Sequence, residues 1–170
     1  MTPQAILLTG GGGVGKTTIA QALAKHLTTA GHPTAVLDLD AVAQFGPRPV
    51  SGSVLSFHDT LRALNLAAVW QVYAAAGAQF FVVSGPVTTA AHRTAYTEAL
   101  PGCEVTVVRL VTQPELVVAR TDSTQRGPMW NVQAALDDAE SHHAVEDFTV
   151  SNDGTPEDAV AAILGGLGNR

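Results

Sequence analysis

Charge is scarce in this chain: 14 % of its 170 residues are Asp, Glu, Lys or Arg. Nine basic residues face fifteen acidic ones, for a net charge of −6. A protein that grips a nucleic-acid backbone carries a basic excess, so no nucleic-acid partner is expected. There is one cysteine, Cys103, which excludes an internal disulfide. Long apolar runs are also missing. Ala5-Ile6-Leu7-Leu8 stops at glycines and is too short for a signal sequence, and no stretch is long enough to span a bilayer. Hydrophobic residues nevertheless make up 46 % of the chain, which excludes disorder as a description of the whole. The expectation is a soluble cytoplasmic protein of one domain over residues 1–170, with no membrane partner.

Short β-type runs alternate with longer amphipathic segments. Strands are expected at residues 6–8, 34–39, 79–84, 104–111 and 148–150. Helices are expected at 17–30, 57–76, 88–100, 113–121, 129–142 and 155–167. In the first helix Ile19, Leu23 and Leu27 recur every four residues on one face. Gly31 closes that helix and Pro33 prevents its return. The segment Phe45-Gly46-Pro47-Arg48-Pro49 reads as a loop, because two prolines exclude regular pairing. Strands alternating with helices imply an α/β domain of three layers, a five-stranded parallel sheet covered on both faces. The near-continuous apolar run Phe80-Phe81-Val82-Val83 fits a strand buried on both sides.

Gly10-Gly11-Gly12-Gly13-Val14-Gly15-Lys16-Thr17 fits the GxxxxGK[ST] pattern between a strand and a helix. Glycines let successive backbone N–H groups turn inward on a phosphate, and the helix N-terminus adds its dipole there. Lys16 is expected to reach the β- and γ-phosphates of ATP, with the Thr17 hydroxyl on Mg²⁺ and Thr18 beside it.

Two resemblances follow. The stretch Gly11-Gly12-Gly13-Val14-Gly15-Lys16-Thr17-Thr18 through Val36-Leu37-Asp38-Leu39-Asp40 resembles the ParA/MinD partition ATPases. Those carry a signature lysine before the glycine pair, where this chain has Gly11. They also carry an Asp-rich switch after the next core strand, where this chain has Ser84-Gly85-Pro86. Over nearly its full length the chain resembles P-loop small-molecule kinases, in the style of adenylylsulfate kinase and chloramphenicol phosphotransferase. The phosphate loop, Asp38-Leu39-Asp40-Ala41-Val42, Arg62-Ala63-Leu64-Asn65 and an arginine-bearing segment from Arg120 to Arg126 carry this resemblance. It implies a P-loop NTPase fold with strand order 2-3-1-4-5, a lid around residues 120–130, and transfer of the γ-phosphoryl of ATP to a small-molecule hydroxyl. In related kinases the loop after the last strand brackets the adenine base, which points to Asn152 and Gly154. A monomer or homodimer is expected.

Asp40 sits where a strand's carboxyl end meets the ligand crevice, so it is the candidate general base. The alternative is that it caps a short helix starting at Ala41. Asp38, two residues earlier on the same strand face, is placed to hold Mg²⁺ through water. Arg62 and Asn65 share a helix face and suit an anionic or amide-bearing acceptor; the competing reading is a solvated arginine beside the core. Arg120 and Arg126 are the candidate lid arginines, with surface charge as the alternative. Arg93 could face the acceptor; Ser84, in Ser84-Gly85-Pro86, either lets a substrate approach the backbone or simply turns the strand into the next helix. Arg109 is either at the site or paired. The six histidines show no zinc-ligand spacing. Cys103, Trp70, Tyr73 and Trp130 read as packing residues, and Phe45 and Phe57 as possible walls of an acceptor pocket.

Overall fold

The computed structural model describes residues 2–46, 55–122 and 145–168. The expected helix at 129–142, Trp130, and most of the expected lid, including Arg126, lie outside the described residues.

Strand β1 (Gln4–Thr9) leads into α1 (Lys16–Thr29). Next come β2 (Thr34–Asp38), a four-residue helix α2 (Leu39–Val42) and the long α3 (Phe57–Ala75). The chain continues through β3 (Phe80–Ser84), α4 (Ala90–Glu98), β4 (Glu104–Val111) and α5 (Pro114–Asp122). It ends with β5 (Phe148–Ser151) and α6 (Pro156–Gly168). The sheet order is β2-β3-β1-β4-β5 with parallel pairing throughout, as the kinase resemblance implies.

Register sets the carboxyl rim of the sheet. Leu8 lies between Ser84 and Val108, Asp38 pairs with Ser84, and Val111 pairs with Ser151. Side chains alternate between two core layers. Ile6, Leu8, Val82, Val108 and Leu110 pack against α1 and α6, where Ile19, Leu23, Leu27 and Ile163 are buried. Ala5, Leu7, Phe81, Val83 and Val107 pack against α3 and α4, with Leu66, Trp70 and Tyr96. Each large aliphatic or aromatic side chain buried this way contributes about 1.5–3 kcal/mol.

Local chemistry fixes the element ends. Gly31 takes φ +87°, and its N–H and that of His32 donate to Thr28 and Leu27, a Schellman stop for α1. α4 begins two residues later than expected because the Thr89 side chain caps it, accepting from the N–H of His92. β2 ends one residue earlier than expected. The Asp38 carboxylate accepts from the N–H of Asp40 and Ala41, so the chain turns into α2 at Leu39.

Candidate functional site

The phosphate loop follows from β1 and its glycines. Gly10, Gly13 and Gly15 have positive φ. Gly10 also needs its missing Cβ, which would run into the Leu110 carbonyl. Gly15 ends the loop as the N-cap of α1, and no side chain caps that terminus. The first N–H groups of α1 therefore face the loop cavity without a side-chain acceptor, the arrangement that suits an anion. Lys16 Nζ curls back to donate to the carbonyls of Gly10 (2.8 Å) and Gly11 (3.0 Å). Gly12, Gly13, Gly15, Lys16, Thr17, Thr18 and Asp40 line a cavity of about 230 Å³. A second cavity of similar size is lined by Gly15, Thr18, Ile19, Arg120, Asn152, Gly154 and Pro156. The two share Gly15 and Thr18, so a phosphate end and a second end adjoin across the start of α1.

Thr17 and Asp38 are brought together. Thr17 Oγ1 donates to Asp38 Oδ2 at 2.8 Å, while Asp38 Oδ1 caps α2. A hydroxyl and a carboxylate at this separation are hard oxygen donors, which fits Mg²⁺. At the end of β3, where many phosphate-loop folds place a metal-binding acid, stands Ser84, 2 % exposed. Its hydroxyl is buried with no hydrogen-bond partner. The carboxylate beside Thr17 thus comes from β2.

Asp38 and Asp40 do not share a strand face, because β2 ends between them. Asp38, not Asp40, is the helix cap. That turn sends Asp40 to the acceptor side, where its carboxylate is 59 % exposed and accepts from Arg62 Nη2 at 2.7 Å. Arg62 Nη1 donates to Asp59 at 2.7 Å, so the solvated-arginine alternative does not describe it. Burial lowers the Arg62 pKa, but the charge and hydrogen bond of Asp40 more than offset this, and the net shift is upward. Asn65 spends its amide on the Val42 carbonyl (2.5 Å), tying α3 to α2.

Arg93 is not brought to this group. Its guanidinium is held by the Val145 carbonyl and by Asp147 (2.9 Å) at the start of β5. Arg109 is paired, 3.8 Å from Glu146. Arg120 lines the second cavity and donates to the Asn152 carbonyl at 2.8 Å. Asn152 is 5 % exposed and braces the phosphate loop, its amide donating to the Val14 carbonyl at 2.7 Å. Phe45 and Phe57 pack on each other, ring centroids 5.4 Å apart. Trp70 stacks on Phe81 and donates to the Pro101 carbonyl, and Tyr73 tilts on the same ring. Burial pushes the Cys103 thiol up to about 11, in keeping with a packing role.

Asp59, His92 and Tyr96 join the site although sequence reasoning passed over them. Asp59 was visible in principle: Ser56-x-x-Asp59 has capping-box spacing, and Asp59 lies three residues before Arg62. His92 and Tyr96 carry no such signal, because only the fold brings α4 against α3.

A family model described as CbiA, the CobQ/CobB/MinD/ParA nucleotide binding domain, matches residues 5–121. That extends the partition-ATPase likeness well beyond the first forty residues. No curated protein matches the chain. Among solved structures, a sugar kinase from Janibacter sp. HTCC2649 superposes with a TM-score of 0.71 at 19 % identity, covering 98 % of this chain and 95 % of that one. A shikimate kinase from Acinetobacter baumannii gives 0.67 at 23 %, covering 99 % and 96 %. The APS kinase of Mycobacterium tuberculosis gives 0.65 at 18 %, covering 98 % of each chain. These likenesses establish the fold. Among the described residues, no helix is long and apolar enough to cross a membrane.

Proposed function

The chain belongs to the CobQ/CobB/MinD/ParA family of nucleotide-binding domains, and from that footing we propose that it is an ATP-dependent phosphotransferase acting on a small-molecule hydroxyl. One observation carries this reading: Asp40 lines the phosphate-loop cavity while Arg62 grips it from the opposite side. A carboxylate there meets the two demands on a base in phosphoryl transfer, being near the γ-phosphate and open to an acceptor. The kinase folds of the solved neighbours support the same class.

In this reading the loop N–H groups and Lys16 cradle the triphosphate, and Lys16 leaves its loop carbonyls for the phosphates. Thr17 and Asp38 would hold Mg²⁺, which neutralises charge on the β- and γ-phosphates when bound. Asp40 Oδ1 stays with Arg62, and Oδ2 takes the acceptor's hydroxyl proton. The new O–P bond forms to the γ-phosphorus as its bond to the β–γ bridging oxygen breaks. ADP leaves with that electron pair. Arg120 serves the nucleotide through its cavity and Asn152 through the loop it braces. Arg126 and the rest of the lid are proposed to supply further positive charge. Asn65 positions α2, and Ser84, buried at the end of β3 beside Asp38, takes no part in lining the acceptor's approach. Arg93 has no part in this scheme, given its hold on Asp147.

The test is a panel of sugars, sugar acids, cyclic hydroxy acids and nucleosides with ATP and Mg²⁺, read as ADP release above the hydrolysis background. Lys16→Ala should abolish turnover. Asp40→Asn should cut acceptor-dependent rate about 10²–10⁴-fold while nucleotide binding persists; an unchanged rate sinks the base assignment. The family match favours a second reading, a nucleotide-driven ATPase switch. It predicts ATP-induced dimers and slow hydrolysis with no acceptor, and sedimentation with and without ATP separates the two. Gly11 in place of the signature lysine speaks against it.

A further inference from the structure

A chain of polar contacts starts at Asp40 and runs away from the phosphate loop, across three elements. Arg62 joins Asp40 of α2 to Asp59 of its own helix, both at 2.7 Å. Asp59 Oδ2 accepts from the Ser56 hydroxyl at 2.5 Å and faces His92 Nε2 of α4 at 3.3 Å. His92 Nδ1 lies 3.3 Å from the backbone N–H of Thr88. An amide can only donate, so Nδ1 accepts there, with the Thr88 hydroxyl 3.2 Å away able to donate to the same atom, and this leaves Nε2 to carry the ring N–H on the side of Asp59. The imidazole is stacked on Tyr96, with centroids 6.0 Å apart and planes 7° apart. Every group in this line therefore has its orientation set by the next.

We propose that Asp59 and His92 are positioning residues for the acceptor half of the site: they hold the Arg62 guanidinium in the orientation that grips Asp40. This rests on the phosphotransferase reading of Asp40. The reasoning is one of sufficiency. The Asp40 carboxylate is exposed, and an ion pair at an exposed carboxylate is too weak to order an arginine with its many rotamers. Asp59, 15 % exposed, supplies the second anchor, and it binds the other terminal nitrogen. Two anchors on two nitrogens fix the guanidinium plane. Asp59 could itself rotate, but the Ser56 hydroxyl and the His92 N–H close that freedom. Of the guanidinium's remaining N–H groups, Nε–H is the buried one. Arg62 Nε is buried without a hydrogen-bond partner, and so is the Tyr96 hydroxyl.

The experiment uses the full chain and three variants: Asp59→Ala, His92→Leu and His92→Gln. Glutamine keeps an N–H donor for Asp59; leucine removes it. The best acceptor of the panel and ATP are titrated separately, and the Arg62 Nε–H resonance is followed by ¹⁵N NMR in the acceptor-free protein. Asp59→Ala and His92→Leu should raise the acceptor KM about tenfold or more, with the ATP KM within about twofold. Both should speed solvent exchange at Arg62 Nε–H, and His92→Gln should restore both readouts. Because Asp59 also serves the N-terminus of α3, His92→Leu tests the idea with that cap intact. An unchanged acceptor KM in folded His92→Leu overturns the proposal, as does a His92→Gln protein no better than His92→Leu. Failure of the wild type to phosphorylate any panel compound would count against the phosphotransferase reading. The Arg62 resonance would still decide the positioning role, and unaltered exchange in His92→Leu would refute it.

Discussion

Asp59 illustrates how a single carboxyl acquires its properties. Burial pushes its pKa up, but the Ser56 hydroxyl, His92 and Arg62 together outweigh that, and the net shift is downward. The folded protein therefore binds this proton less readily than the unfolded chain does. The stabilisation is present above the ordinary carboxylate pKa of about 4 and is lost as pH falls through that value and below. Thermal melts of the wild type should show Tm falling as pH drops from about 5 to about 3, and Asp59→Asn should flatten that slope. An equally steep slope in the variant would assign the acid response elsewhere. Asp38 and Asp40 carry the other lesson at this scale. The sequence pointed to both carboxylates, but strand periodicity put them on one face. The cap that Asp38 makes with its own backbone ended the strand and separated their roles, and a local side-chain bond of that kind leaves no trace in hydrophobic periodicity.

Among the elements, the phosphate loop is held from outside as much as from within. Asn152, at the far edge strand's end, donates to Val14 and receives Arg120 on its carbonyl. Gly15 leaves the space this amide needs, since a Cβ there would lie 2.7 Å from Asn152 Nδ2. Asn152→Leu should destabilise the fold by about 1–3 kcal/mol, the usual cost of leaving buried polar partners unmet. Calorimetric titration with ADP should also show weaker binding; wild-type affinity in that variant would mean the loop holds its own shape. The loop motif and α1 were legible in the sequence because they rest on glycines, a short-range pattern and four-residue periodicity. The resemblance places the Asn152 loop beside the adenine through its backbone, and the side-chain amide does a second thing that resemblance did not suggest, bracing the phosphate loop. Partners 138 residues apart along the chain cannot be read from spacing.

For the molecule as a whole, the alternation of strands and helices announced a parallel α/β sheet. The order β2-β3-β1-β4-β5 came from resemblance, because right-handed crossovers alone permit several orders. The sheet divides the interior into two layers, and truncations should report on them separately. Ile19→Ala in the layer beneath α1 and Leu66→Ala in the layer beneath α3 should each cost about 2–5 kcal/mol in chemical denaturation. Both side chains are fully buried. Ile19 also lines the cavity beside Gly15, so Ile19→Ala should weaken ADP binding while Leu66→Ala leaves it intact. Equal losses of affinity would show that the layers are coupled.

That division has a bearing on how such a chain diversifies. The loop glycines, Lys16 and Thr17 answer to one side of the sheet, whereas Arg62, Asp59 and His92 are carried by helices on the other. On the phosphotransferase reading, the acceptor side could be altered without touching the loop that holds the triphosphate, because the two rest on different layers. The bond from Thr17 to Asp38 ties the two sides together, so a change in β2 that moved Asp38 would be felt at the phosphate loop.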